Sequence, residues 1–335
     1  MIFMSKRILA AACAAATALA LSACSSTPSS EGNATKDGTL TVMASFYPLQ
    51  YLAEKIGGEH VTVTSLTPAG AEPHDLELSP KTVDALASAD AVVYLAGFQA
   101  AVDEAIEQQA PTTVIDVSPA AELVEANSSA NHPSEDEDED EAQSGESATE
   151  EHADHDHEGH HHDMSADPHF WLDPVRMASA ATLVGDKLAE ADPANADTYK
   201  ANAKALNEEL SALGDDLVAK TATCQIKTFV TAHTAFGYLA DRTGLTQVGI
   251  SGLDPDSSPS PARLAEISQI AKDQGVTTIF TEALIDPKVA QTLADDLGIS
   301  TAVLDPIESQ TDSSKDYAAV MKDNINALTT ANNCQ

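Results

Sequence analysis

The chain has 335 residues, which suggests two domains rather than one, and 43% hydrophobic residues, enough for real cores. A formal net charge of −36 argues against nucleic acid and anionic membrane surfaces as partners, and it suits a cationic ligand. The charge is uneven: residues 121–167 hold 17 Asp and Glu and neither Lys nor Arg.

In chain order, Lys6 and Arg7 open a basic start, followed by the run ILAAACAAATALALSAC. The run is too short and Ala-rich for a comfortable membrane span, and it reads as a targeting segment over 1–23. Its end, LSAC from Leu21 to Cys24, looks like a bacterial lipobox, with Cys24 left to carry lipid. The alternative is a plain secretory peptide with an incidental cysteine. Residues 24–38 read as a polar tether. Cys13 leaves with the leader, so Cys224 and Cys334 remain as an even pair in an oxidising compartment. A disulfide between them is expected; two free thiols are the alternative.

From Thr39 short β-rich runs alternate with helical patterns. TLTVMASF, VTVTSL, AVVYLA and TTVIDV read as strands, PLQYLAEKIGG and SPKTVDALASA as helices, the latter with a Ser cap and Pro in its first turn. Such alternation predicts a parallel sheet covered by helices. The stretch 121–167, with seven consecutive acids from Glu135 to Glu141 and then a histidine tract, reads as a disordered loop. A helical pattern resumes at Pro174 and ends at Asp192–Pro193. The next, running to about Lys220, would span roughly 40 Å and join two lobes. The alternation then restarts through IKTFVTA, LTQVGI, VTTIFTEA and STAVLD to a last helix over 314–331. The expectation is an α/β protein with two lobes, each holding a parallel four-stranded sheet. The N-terminal lobe covers 39–192, the linking helix 193–221 and the C-terminal lobe 222–335.

Four histidine or acid motifs share a place in this pattern. TPAGAEPHDLELSP carries His74 just past the second strand, and DPHFWLDP carries His169 after the first lobe's last strand. FVTAHTAFGYLA puts His233 past the second lobe's first strand, and AVLDPIES puts Asp305 and Glu308 past its last. Ligand sites of open α/β sheets form beyond the carboxyl ends of strands, so two residues from each lobe would meet in the cleft. Three imidazoles and a carboxylate suit zinc; manganese stays open, and calcium or magnesium would want oxygen ligands. His60 in GGEHV gets no role. His152, His155, His157, His160, His161 and His162 read as a flexible accessory tract that binds zinc weakly near the cleft, or else as a solvated charged loop.

These motifs in this order resemble the zinc-binding lipoproteins of bacterial metal ABC importers, the ZnuA/AdcA type of cluster A-I solute-binding proteins. The resemblance covers the chain from about Thr39 and adds FYPLQYLAEKIGGEHVTVTSL, QVGISGLDPDSSPSPARLAEI and LDPIES to the quoted motifs. It implies His74, His169 and His233 as ligands of a transported Zn(II), with Glu308 as the fourth. Manganese-type relatives use an aspartate in this region, which makes Asp305 the rival. Other zinc relatives carry a Glu directly before the first His, but here Pro73 stands there and Glu72 lies one residue further back. The resemblance also implies small lobe movements, a monomer anchored outside the cell membrane through Cys24, and a membrane permease as partner. Binding should weaken below about pH 6 as the histidines protonate. An enzyme is not expected: the chain has no GxSxG or P-loop motif, and four protein ligands would leave no open zinc position for water. A manganese-binding family member and a surface adhesin or scavenger are the remaining alternatives.

Overall fold

The computed structural model describes residues 38–125 and 166–335. Two parallel sheets form its frame. The first runs in the order β2 (Val61–Ser65), β1 (Leu40–Ala44), β3 (Ala91–Tyr94), β4 (Val114–Asp116). The second repeats that order with β6 (Thr246–Gly249), β5 (Thr228–Thr231), β7 (Thr278–Thr281) and β8 (Ser300–Val303). Every pairing is parallel, as helical crossovers require. Burial follows position in the sheet. Central β5 is buried at all four residues, whereas edge strand β2 alternates between half-buried and exposed. Central strands are covered on both faces, and the edge strand β2 keeps one face towards solvent.

The helices are α1 (Tyr47–Gly57), α2 (Pro80–Leu86), α3 (Ala100–Gln109), α4 (Ser118–Ala121), α5 (Pro174–Ala191), α6 (Ala196–Thr221), α7 (Gly237–Thr243), α8 (Pro261–Asp273), α9 (Lys288–Leu297) and α10 (Tyr317–Ala331). Ser79 caps α2 by accepting the Thr82 N–H, as its SP motif predicts. Asp173 caps α5 the same way, with Pro174 at the first helical position. The sequence pattern did not single out α3. Its first turn follows Gln99, which makes no side-chain cap, and its N-terminal residues AAVDEA lack a clean apolar stripe.

The long helix α6 starts at Ala196, three residues later than the pattern suggests, because Asp192 organises the turn before it. Its Oδ1 accepts the Ala194 N–H, and its Oδ2 accepts from Asn195 Nδ2 and Tyr199 Oη. At 26 residues α6 is about 39 Å long. It packs on α1, α5, α7 and α10. Among the described residues one apolar core runs through both lobes, from Val42 and Phe46 through Trp171, Leu206 and Leu210 to Phe280 and Met321. Smaller clusters lie under the outer faces, around Ile279 and Leu293 in one lobe and Val92 and Val102 in the other.

Cys224 and Cys334 form a disulfide. It ties the residues after α6 to the C-terminal tail, beside the backbone hydrogen bonds Gln225 N–H to Asn333 O and Ile226 N–H to Asn332 O. The expectation of a disordered loop over 121–167 needs correcting at its ends. Ala121 is buried in α4, the Val124 N–H donates to Tyr238 Oη, and Glu125 bridges Ala166. Asp167 is fully buried. Each of these groups is held by a residue distant in sequence, which composition cannot reveal. Cys24 and the tract His152, His155, His157, His160, His161 and His162 lie outside the described residues.

Candidate metal centre

His74, His169, His233 and Glu308 each bring one donor atom to a common point, and these four atoms lie within 4.8 Å of one another. Each comes from a segment leaving the carboxyl end of a sheet. His74 sits in the loop between β2 and α2, His169 in the segment entering the 3-10 turn Phe170–Leu172, His233 just past β5, and Glu308 just past β8. Two donors therefore come from each lobe. His169 and His233 are 0% exposed and Glu308 1%.

The separations decide what could sit there. Glu308 Oε1 stands 3.5 Å from His74 Nε2, 3.2 Å from His169 Nε2 and 3.4 Å from His233 Nε2, and the last two nitrogens are 3.4 Å apart. Zinc bonds of about 2.0–2.1 Å in a tetrahedron put neighbouring donors roughly 3.3–3.4 Å apart. Glu308 Oε1 and His74 Nε2 are buried with no hydrogen-bond partner of their own. Orphaned polar atoms aimed at one point mark the place of an ion.

Two carboxylates behind the cluster orient the rings. Asp167 Oδ1 lies 2.7 Å from His169 Nδ1 and also accepts that residue's backbone N–H. Glu282 lies 2.8 Å from His233 Nδ1 and accepts the His233 backbone N–H. A carboxylate there holds the Nδ1 proton of a neutral ring and turns the Nε2 lone pair to the centre. Sequence reasoning missed both residues. Their signals were present: Asp167 stands two residues before His169, and Glu282 directly follows β7. His74 is held differently. Its backbone N–H donates to Glu72 Oε1, its ring meets Phe98 edge-on at 4.9 Å, and Gln99 Nε2 donates to Pro73 O.

The electrostatics follow this division. Burial pulls His169 down, but Asp167 and Glu308 outweigh it and its pKa is raised. Burial also opposes charge on His233, yet Glu282 and Glu308 hold it well above the ordinary histidine value. For His74 burial wins and the pKa is lowered. Glu308 is buried too, but the imidazoles of His169, His233 and His74 around it keep it well below the usual carboxylate range. Glu72 is pushed up to about 8, first by burial and then by the charge of Glu308.

Asp305 is not among the clustered donors. Its Oδ1 accepts the Ile307 N–H at 2.8 Å, its backbone N–H donates to Asn324 Oδ1, and its carbonyl accepts from Asn324 Nδ2. Gly249, at the end of β6, has a packing duty beside His233. A Cβ there would stand 2.2 Å from Thr234 Oγ1 and 2.6 Å from Ser251 O, so only glycine fits. Among the described residues no helix is long and apolar enough to cross a membrane.

Two parallel four-stranded sheets with buried donors meeting beyond their carboxyl ends define a two-lobed solute-binding architecture. The chain belongs to the family described as zinc-uptake complex component A, periplasmic, whose pattern matches residues 42–331. It is 34% identical over 298 residues to the zinc-binding lipoprotein AdcA of Streptococcus pneumoniae, covering 87% of this chain and 56% of that relative. The chain thus spans a little over half of that protein's length. It is 33% identical over 322 residues to the high-affinity zinc uptake system protein ZnuA of Bacillus subtilis, covering 94% of both. The solved laminin-binding protein Lmb of Streptococcus agalactiae, described as a bifunctional protein with adhesin and metal transporting activity, superimposes with a TM-score of 0.72. It is 29% identical and covers 87% of this chain and 99% of that one.

Proposed function

We propose that the chain is an extracytoplasmic zinc carrier. His74, His169, His233 and Glu308 hold one Zn(II), and the loaded protein presents it to the permease of an ABC importer. The observation that carries this reading is that four of the six donor–donor separations, those of Glu308 to each imidazole and of His169 to His233, are 3.2–3.5 Å, close to the edges of a zinc tetrahedron, with all four donors within 4.8 Å. Four protein donors fill that shell and leave no position for a reacting water, so the site suits binding rather than hydrolysis. One carboxylate and three neutral imidazoles leave a divalent ion with part of its charge uncompensated. The carboxylates behind His169 and His233 offset it. Glu308 is preferred over Asp305 as the fourth ligand because Asp305 spends its carboxylate on the Ile307 N–H.

The same reading takes Cys24 as a lipid anchor, the chain as a monomer, residues 39–192 and 222–335 as the two lobes, and 193–221 as their link. It gives the histidine tract His152 to His162 an accessory role in collecting zinc.

Calorimetric titration of the metal-stripped chain from about residue 31 tests it, with zinc beside manganese. One tight zinc site is expected. It should vanish when His74, His169 and His233 are all changed to Ala, and manganese should bind more weakly. Manganese binding as tight as zinc would move the protein to a manganese carrier. Tight zinc binding that survives the triple change would remove the cluster from the reading altogether.

A further inference from the structure

The turn that carries Glu308 has a feature that metal ligation does not require. Ile307 adopts φ 57 and is 1% exposed. Three other described non-glycine residues have positive φ: Ala110, Glu122 and Asn333. The first two are C-caps of α3 and α4, and Asn333 directly follows the α10 cap, where the left-handed conformation is usual. Ile307 ends no helix. A buried β-branched residue in this region is an outlier that persists only when its surroundings impose it.

The surroundings are visible on both sides. Within the C-terminal lobe, Asp305 Oδ1 accepts the Ile307 N–H at 2.8 Å. Asp305 is itself pinned by Asn324 of α10 through its backbone N–H at 2.9 Å and its carbonyl at 2.6 Å. From the N-terminal lobe, the indole N–H of Trp171 donates to Pro306 O at 2.7 Å. Trp171 is the chain's single tryptophan, is 0% exposed and lies two residues after His169. Its ring packs against Phe46, Phe98 and His169, and its carbonyl accepts from Tyr317 Oη. Proline fixes its own φ, so holding the Pro306 carbonyl and the Ile307 N–H leaves the turn little freedom. The next side chain is Glu308.

We propose that Trp171 and Asp305 are positioning residues that mount Glu308, holding Ile307 in its left-handed conformation so that the carboxylate faces the three imidazoles. The indole makes this mount depend on the opposite lobe: the segment that brings His169 also locks the turn that brings Glu308. If either clamp is lost, Ile307 can relax to the extended conformation favoured by a β-branched residue, and Glu308 swings away from the cluster. The inference rests on the zinc-carrier reading and goes further, since neither residue touches the ion.

The test is a double-mutant cycle in the full chain, reading the zinc dissociation constant by chelator competition and the release rate by stopped flow. Trp171→Phe keeps an aromatic ring and removes the N–H. Asp305→Ala removes the acceptor, while Asp305→Asn keeps an acceptor and removes only charge. Each is made alone and with Glu308→Ala. Trp171→Phe and Asp305→Ala are expected to weaken zinc binding about 10–100-fold, as loss of a ligand-orienting partner does, with faster release. Asp305→Asn should stay near the unmodified chain. In the Glu308→Ala background the same two changes should cost less than about twofold, because the group they position is gone. Equal losses in both backgrounds would overturn the mount and leave the zinc site standing. Absence of tight zinc binding in the unmodified chain would instead overturn the carrier reading. Asp305 lies at the edge of the turn, so its variants decide the matter even if Trp171→Phe fails to fold.

Discussion

His233 and His74 offer the same atom to the same centre, yet their settings differ. His233 is fully buried at the end of a central strand. Its ring and backbone N–H both meet Glu282, and its carbonyl accepts from Thr231 Oγ1 and Gln247 Nε2. His74 sits in the loop after edge strand β2, held through its neighbours' backbone and an aromatic edge. Anionic partners raise the pKa of His233, while burial lowers that of His74. His233 therefore has a carboxylate behind its ring that can balance positive charge. His74 has no carboxylate behind its ring, and burial disfavours charge on it.

The largest expected effect separates these two. Changing His233 to Ala leaves the buried Glu282 without its ring partner, and breaking such a buried pair costs about 3–5 kcal/mol. Changing His74 to Ala removes a neutral ring at the edge of the cluster and should cost the metal-free protein distinctly less. Both variants should lose tight zinc binding. Denaturant melts of the metal-free variants check this, and equal destabilisation would erase the contrast between the two ligands.

Next in size is the pH dependence. Zinc needs the Nε2 lone pairs, so protons compete with it. The pKa values of His169 and His233 are raised in the folded, metal-free state. Their competition therefore begins above the ordinary histidine value of about 6.5, not below about pH 6 as unperturbed histidines would give. For the metal-free protein the sign is fixed. These two raised groups add stability that is complete below the unfolded-state value and is lost as pH rises through the folded one. His74, lowered by burial, acts in the opposite sense. The gain in melting temperature on adding zinc should accordingly grow from mildly acidic to neutral pH. Glu282→Gln removes the main support of the His233 charge and should move that rise to lower pH. A zinc-induced gain independent of pH would contradict the raised values.

The smallest expected effect concerns the acidic, histidine-rich segment. Deleting residues 132–163 should leave one tight zinc site with its affinity changed by less than a few-fold, since all four clustered donors lie outside it. Loss of weaker additional zinc equivalents in the same titration would show the accessory role. Loss of the tight site would move the centre into the deleted segment.

Much of this protein was legible in its residues, for local reasons. Ser79–Pro80 and Asp173–Pro174 announce helix starts because a side-chain oxygen beside a proline suits an N-terminus. Buried parallel strands read as apolar runs, so both sheets could be traced. His74, His169, His233 and Glu308 stood out because each follows a strand's carboxyl end. The α3 helix escaped because its start lacks a cap, and the start of α6 shifted because Asp192 bonds to Tyr199 seven residues on.

The amino-acid pattern by itself determined the two β/α repeats, the disulfide pair and the type of ligand, since these depend on spacing, periodicity and donor chemistry. Only the tertiary structure decided which carboxylate of LDPIES faces the imidazoles, which acids stand behind His169 and His233, and how the two lobes share one core. The family resemblance preferred Glu308 and kept Asp305, three positions earlier in sequence, as its rival. What separates them is the left-handed turn at Ile307 and a hydrogen bond from Trp171, 135 residues away. A contact of that range leaves no periodic trace, because it is set by where two independently formed segments meet.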